Sequence, residues 1–354
     1  MKVAPLFHSL TKEEWCRPIL IHTGQHYSAN MSDAFLRDLA LPAPHHHLEV
    51  GSGSHAEQTA AVMVAYERVC LNERPDWVVV VGDVNSTMAC ALAAKKLNLP
   101  VAHLEAGLRS GDLTMPEEIN RLVTDAIADL LWTPSADADE NLRREGRPAG
   151  AVERVGNVMI DALCMLRDRI DAARDAKTYG VAADRYGIVT LHRPSNVDDP
   201  RRFAAIISAL ARVNRELPLI LPIHPRMQKR AEEFGLDAQL QSAVAVLIEP
   251  LGYIDFMGLL TRSSLAISDS GGIQEEATYL GIPCLTLRDN TERPITITEG
   301  TNRLVRPETL YDFAVEALSR APSVARCPEL WDGCTAGRVS ASLRRKVQLQ
   351  EAAA

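Results

Sequence analysis

Ser268-Asp269-Ser270-Gly271-Gly272-Ile273-Gln274-Glu275-Glu276-Ala277 sets two serines and two glycines between an apolar run and a segment of helical pattern. If strand gives way to helix there, Ser270, Gly271 and Gly272 stand at a helix N-terminus. Free N–H groups, the positive dipole end and close backbone approach then make a phosphate cradle. The same residues would also serve as a plain strand–helix turn capped by serine. Glu276 falls in the first turns of that helix, able to reach a sugar held against the loop. Further on, Arg288-Asp289-Asn290-Thr291-Glu292-Arg293-Pro294 is either solvated surface or a loop at a cleft mouth. In the second case Arg293 is placed to clamp a diphosphate, since a guanidinium matches paired phosphate oxygens. His192 and Arg193 leave the end of another apolar run, a position suited to anion binding or proton transfer. His224, before Pro225-Arg226, ends the next run in the same way. Tyr253 and Phe256 follow Pro250, and either one stacks on a base or both pack as helix core.

The first half of the chain carries carboxylates instead. Asp83 ends the valine run 78–81, and Glu105 ends the run Val101-Ala102-His103-Leu104. A carboxylate at the end of a buried strand is costly unless it binds something. Glu117, Glu118 and Arg121 follow on a segment opened by Pro116; Glu117 and Arg121 are four apart and share a helix face, the spacing of an ordinary surface ion pair as well. His45-His46-His47 reads as an exposed loop, because adjacent histidines do not converge easily on one ion, and no metal site is expected.

These groups need elements to hold them. Short apolar runs alternate with longer amphipathic segments, the pattern of parallel sheets covered by helices on both faces. Strands are expected at 77–81 (buried on both faces), 101–104, 187–191, 219–223, 243–248 and 265–268. Helices are expected at 85–97, 116–130, 201–217 and 336–354. A charged stretch at 167–185 separates two such sets. The expected organisation is thus an N-terminal Rossmann-like domain over 1–165 with the carboxylates, a C-terminal one over 166–335 with the phosphate groups, and a helix at 336–354 returning to the first. The active site is expected in the cleft between them, at the C-terminal ends of both sheets.

With 354 residues, two domains are the natural expectation. A net charge of −8 argues against nucleic acid or an anionic membrane as main partner. The seven cysteines include no CxxC pair, and no apolar stretch reaches the roughly 20 residues that span a bilayer. Together with the absence of a signal-peptide pattern at the N-terminus, this reads as a cytoplasmic protein.

Taken in order, Lys2-Val3-Ala4-Pro5-Leu6, Thr23-Gly24-Gln25-His26, Gly82-Asp83, Glu105-Ala106-Gly107-Leu108-Arg109-Ser110-Gly111-Asp112, Pro116-Glu117-Glu118-Ile119-Asn120-Arg121, His192-Arg193, Ser268 through Glu276 and Thr291-Glu292-Arg293-Pro294 resemble the non-hydrolysing UDP-N-acetylglucosamine 2-epimerase family. The resemblance runs over nearly the whole chain. It implies a GT-B fold of two Rossmann-like domains, a UDP-sugar substrate, a homodimer and no nicotinamide or metal. It assigns Asp83, Glu105 and Glu117 as acid/base candidates, with Arg121 and Lys2 as positioning groups. His192, Ser270, Gly271, Gly272, Glu276 and Arg293 would hold UDP, with Phe256 against the uracil.

The chain departs from the family in three places. Relatives carry a strand and a Gly-Thr-Arg-Pro-Glu turn before the segment that starts here at Met1, so a truncated or misassigned start is expected, with an impaired UDP-sugar-binding protein as the alternative. The glutamine that follows Gln-His in allosterically activated members is absent after Gln25-His26. The segment 109–116 is short, as in a subgroup that includes enzymes for diacetamido-uronate nucleotides, while Leu108 favours UDP-GlcNAc.

Overall fold

The computed structural model describes residues 1–24, 36–181, 185–319 and 327–353. Gln25 and His26 lie outside them. Two units form. One comprises Met1–Met165 with Glu329–Ala354, and the other Leu166–Pro328.

In the first unit, β1 (Ile21–His22) and β2 (His46–His47) form a short parallel pair. β3 (Val78–Val81), β4 (Val101–Leu104), β5 (Leu130–Thr133) and β6 (Val152–Arg154) form a separate parallel sheet in chain order. The histidine run is therefore a strand and not a loop: His46 and His47 pair with β1, His46 meets Glu73 at 2.7 Å, and His47 stacks on His22. No cluster of three or more metal-ligating side chains occurs among the described residues. β3 is an edge strand there, with Val78 and Val80 buried but Val79 and Val81 only partly so, because the covering helices reach an edge incompletely. The helix from Pro116 ends at Ile127, short of the expected 130, since Leu130 opens the fully buried β5. Proline at N1 and two glutamates in the first turn set its start, as expected.

Thr335–Ala353 is a helix whose Val339 and Leu343 join Leu6, Leu10, Leu104, Trp132 and Val158 in one apolar cluster. Asp161 accepts the Thr335 and Ala336 N–H groups at 3.1 and 2.7 Å, capping this helix from a distant segment. The return to the first unit begins at Glu329, not at 336, because Trp331 is already buried there with its indole N–H on the Pro134 carbonyl at 2.9 Å.

The second unit holds six parallel strands: β7 (Gly187–Thr190), β8 (Leu219–Pro222), β9 (Val246–Ile248), β10 (Leu265–Ser268), β11 (Cys284–Thr286) and β12 (Asn302–Leu304). Their spatial order is β12-β11-β10-β7-β8-β9. Renumbered from β7 this is 3-2-1-4-5-6, the doubly wound order whose direction reverses between β7 and β10. Phe203, Ile206, Leu210 and Val213 of the Pro200–Glu216 helix pack on one face against Val189, Leu219 and Ile267. β9 starts at Val246, later than the expected 243, because the Asp237–Ala243 helix runs through that residue.

Gly156 sits where the returning segment crosses β6. Its φ is +94°, and a Cβ would lie 2.2 Å from the Leu330 carbonyl oxygen. Gly156→Ala is expected to cost about 2–4 kcal/mol, from backbone strain plus overpacking. Urea unfolding checks this; an unchanged midpoint would refute the crossing as a constraint.

Candidate active site

In the second unit the chemistry gathers at the ends of β7 and β10, the two strands on either side of the reversal. Asp269, directly after β10, is fully buried. Its carboxylate accepts the N–H groups of His192 at 3.1 Å and Arg193 at 2.9 Å, and the Asn196 amide at 3.1 Å. The His192 ring meets it at 2.9 Å, and the Arg193 guanidinium donates to the Asp269 carbonyl at 2.9 Å. Burial alone would raise this carboxyl. His192, with the Arg193 N–H and Asn196, outweighs it and holds the group below its usual range. One buried anion thus locks the His192-Arg193 segment to the serine–glycine loop. Sequence reasoning passed over Asp269, although it lay inside the motif.

Ser270 is the N-cap of the Gly271–Leu280 helix, yet makes no side-chain cap bond. The plain capping role is therefore not what this serine performs. Ser270, Gly271 and Gly272 are partly exposed at that terminus. Beneath them lies a buried chain of charge. Arg293 meets Glu275 at 2.9 Å and is ion-paired with Glu292, and Arg288 meets Glu292 at 2.7 Å. All four residues are 5% exposed or less, so within the charged loop Arg288, Glu292 and Arg293 are buried while Asp289 is exposed. Two guanidiniums overcome burial and hold Glu292 well below the usual carboxylate range. A Cβ on Gly271 would lie 2.6 Å from an Arg293 nitrogen, so that glycine is required for the loop to rest on this base. Arg293 here supports the serine–glycine loop from below.

The His224 ring lies 5.5 Å from that of His192. Its Nδ1 accepts the Arg226 N–H at 3.1 Å and caps the Pro225–Phe234 helix. Burial, then the neighbouring His192, lowers its pKa and favours the neutral ring. Tyr253 donates its hydroxyl to Glu276 at 2.8 Å. Phe256, on the same helix as Tyr253, is half-buried. A cavity of about 830 Å³ opens beside Ile248, Pro250, Leu251, Gly252 and Asp255, and Phe256 is not among the residues that line it.

In the first unit Asp83 and Glu105 follow the neighbouring strands β3 and β4, and each has a cation. Arg121 is ion-paired with Asp83, and Lys2 with Glu105. Gly82, at φ +72°, lies where an added Cβ would be 3.4 Å from the Glu105 carboxylate and 3.5 Å from the Lys2 nitrogen. Glu105 itself takes a left-handed φ of +77°, an uncommon cost for a side chain of this kind. Arg121 is 1% exposed and also pairs with Glu118, three residues before it, rather than with Glu117, which faces solvent. Glu118 accepts the Ser110 and Gly111 N–H groups at 3.0 and 2.9 Å. Burial pushes it up, but these donors and Arg121 prevail and hold it low. Of the three candidate acid/base groups, Asp83 and Glu105 are therefore brought to adjacent strand ends, and Glu117 is exposed on the Pro116–Ile127 helix.

Burial raises Glu276 from an ordinary 4.5 to about 8, with Tyr253 opposing and Glu275 reinforcing. Between those values the folded chain keeps a proton that the unfolded chain has lost, so this group lowers stability as pH rises from 4.5 to about 8. Glu276→Gln removes that titration. The variant is expected to match the parent near pH 4.5 and exceed it by on the order of a few kcal/mol at pH 8. Unfolding in urea at both pH values decides; a difference that does not change with pH would refute the ionisation argument.

A family-wide sequence profile for UDP-N-acetylglucosamine 2-epimerase matches residues 8–344. The UDP-N-acetylglucosamine 2-epimerase of Methanocaldococcus jannaschii is 44% identical over 313 residues, 86% of this chain and 85% of that one. The UDP-2,3-diacetamido-2,3-dideoxy-D-glucuronate 2-epimerase of Pseudomonas aeruginosa is 41% identical over 309 residues, 86% of this chain and 84% of that one. A crystal structure of the M. jannaschii UDP-GlcNAc 2-epimerase in complex with UDP-GlcNAc and UDP superposes with a TM-score of 0.86 at 40% identity, covering 97% of this chain and 96% of that one. Parallel-sheet α/β units of the Rossmann type, strand-end carboxylates with their cations and a serine–glycine cradle at the sheet reversal agree with these likenesses: the chain belongs to the UDP-N-acetylglucosamine 2-epimerase family, of GT-B fold.

Proposed function

We propose that the chain interconverts UDP-N-acetylglucosamine and UDP-N-acetylmannosamine without hydrolysis. A base removes the C2 proton while the C1–O bond breaks and its electrons leave with UDP, giving a 2-acetamidoglucal. UDP then re-adds through oxygen to C1 as an acid delivers a proton to the opposite face of C2. This needs proton-transfer groups at the ring and cations for the departing diphosphate. The observation that carries the reading is the pair Asp83 and Glu105 at neighbouring strand ends, each with its own cation, Arg121 or Lys2. Asp83, Glu105 and Glu117 are the acid/base groups of this reading, with Arg121 positioning Asp83 and Lys2 positioning Glu105.

His192, Arg193, His224 and the Ser270, Gly271 and Gly272 loop hold the diphosphate, with Arg293 supporting that loop. Glu276 takes the ribose and Phe256 the uracil. The location of His192 and the cradle at the sheet reversal supports this, since nucleotides bind there in doubly wound folds. The chemistry calls for neither nicotinamide nor metal. A cytoplasmic homodimer completes the proposal, in keeping with seven cysteines that include no CxxC pair. A second reading, the diacetamido-uronate nucleotide as substrate, rests on the P. aeruginosa relative.

Each UDP-sugar is incubated with the protein in heavy water and followed by proton NMR. Deuterium at C2 of UDP-GlcNAc with both epimers present is expected; exchange only of the uronate favours the second reading, and free ManNAc with UDP would mean hydrolysis. Glu105→Gln is expected to lose exchange by about 100-fold or more while retaining UDP affinity.

A further inference from the structure

His103 lies two residues before Glu105 on β4 and is the only fully buried histidine among the described residues. Its Nδ1 is 2.6 Å from an Asp125 carboxylate oxygen, and its Nε2 is 2.8 Å from the Gly82 carbonyl oxygen. A carbonyl oxygen only accepts, so Nε2 carries a hydrogen. The other Asp125 oxygen accepts the Gly107 N–H at 3.0 Å and meets the Arg109 guanidinium at 2.8 Å; against the burial that would raise it, His103, Arg109 and this N–H hold the carboxyl below its usual range, so it is ionised and accepts at both oxygens. Nδ1 must then carry a hydrogen too. We infer that His103 is held as an imidazolium, a positioning residue whose two N–H groups fix the Gly82-Asp83 turn to the turn that carries Glu105.

The surrounding charges favour that state. Among the described residues Asp83, Glu105, Glu118, Asp125 and Glu145 are ion-paired with Lys2, Arg109 and Arg121, five carboxylates on three cations. Asp125 faces the ring from the Pro116–Ile127 helix, Gly82 from the end of β3 and Glu105 from its own strand. Burial works against the charge, while Asp125, the Gly82 carbonyl and Glu105 outweigh it and raise the pKa. The need for such a tie is visible in the backbone. Gly82, Glu105 and Gly107 all have φ between +72° and +82°, so both turns that carry the carboxylates are left-handed at one position or more. A neutral histidine has one N–H and could tie only one of the two. The imidazolium also sets a fixed positive charge beneath Asp83 and Glu105, where proton transfer is proposed.

The catalytic part of this inference rests on the proposed epimerisation, whereas the charge state does not. Nitrogen NMR of the ligand-free protein at pH 7.5 tests the latter alone. The buried ring is recognised by slowly exchanging N–H protons, and both nitrogens are expected to be protonated. One unprotonated nitrogen at pH 7.5 overturns the proposal, whatever the substrate proves to be. His103→Gln keeps one donor and loses the charge. With UDP-GlcNAc it is expected to lower kcat about 100-fold with KM changed less than about threefold, and to move the acid limb of the kcat profile up by roughly one pH unit. Loss of stability with an unmoved limb would reduce His103 to a structural residue and overturn the positioning role; if the variant does not fold, the nitrogen spectrum of the parent decides.

Discussion

An ionised carboxylate at the buried end of a parallel strand is tolerable only when its charge is matched and its oxygens are hydrogen-bonded. Both units obey this constraint, and their sites are arranged by it. Asp269 is matched by His192 and two backbone N–H groups. Glu105 is matched by Lys2 and Asp83 by Arg121. Asp125, with no exposure at all, collects His103, Arg109 and the Gly107 N–H. Asp83, Glu105 and Asp269 each draw a second segment of chain to their own strand end, and Asp125 does the same from a helix. The site residues are gathered by the requirement of neutralising buried charge.

The same constraint explains the left-handed backbone. Strand ends that must turn sharply while delivering an N–H to a buried acceptor leave little choice of dihedral. Glycine supplies this freely at Gly82 and Gly107, and Glu105 adopts it at a cost that the Lys2 pairing and the neighbouring turns offset. The serine–glycine loop meets it differently. There the backbone stays in ordinary regions, and the absence of a side chain at Gly271 admits the Arg293–Glu292 pair beneath. Cations that look from the sequence like clamps for an anionic ligand are in part consumed by the protein's own carboxylates. Arg293 is of this kind, at 5% exposure; Arg121, at 1%, is spent likewise on Asp83 and Glu118.

Much of this was legible in the sequence, for definite reasons. Strands buried on both faces write themselves as unbroken apolar runs, so β4 and β10 match the expected residues to the letter, and Pro116 announced its helix. The serine–glycine motif, Asp83, Glu105 and His192 stand out in the sequence because strand-end position is itself a local signal. Short strands at the margins, such as His46–His47 and Val152–Arg154, carry too few residues for any period to show. Asp125 and His103 were missed because nothing local distinguishes them: one sits inside a helix and the other inside an apolar run, 22 residues apart.

The sequence by itself determined the α/β class, the alternation of strand and helix, the family and the residue types available for acid, base and phosphate chemistry, because all of these depend on local pattern. Only the tertiary structure decided which charges meet. It chose Glu118 over Glu117 as partner of Arg121, turned Arg293 inward onto two glutamates, and placed His103 between an aspartate and a carbonyl that can both only accept. Those choices depend on burial and on contacts between segments far apart in the chain, where the energy of a charge is set by its surroundings and not by its neighbours in sequence.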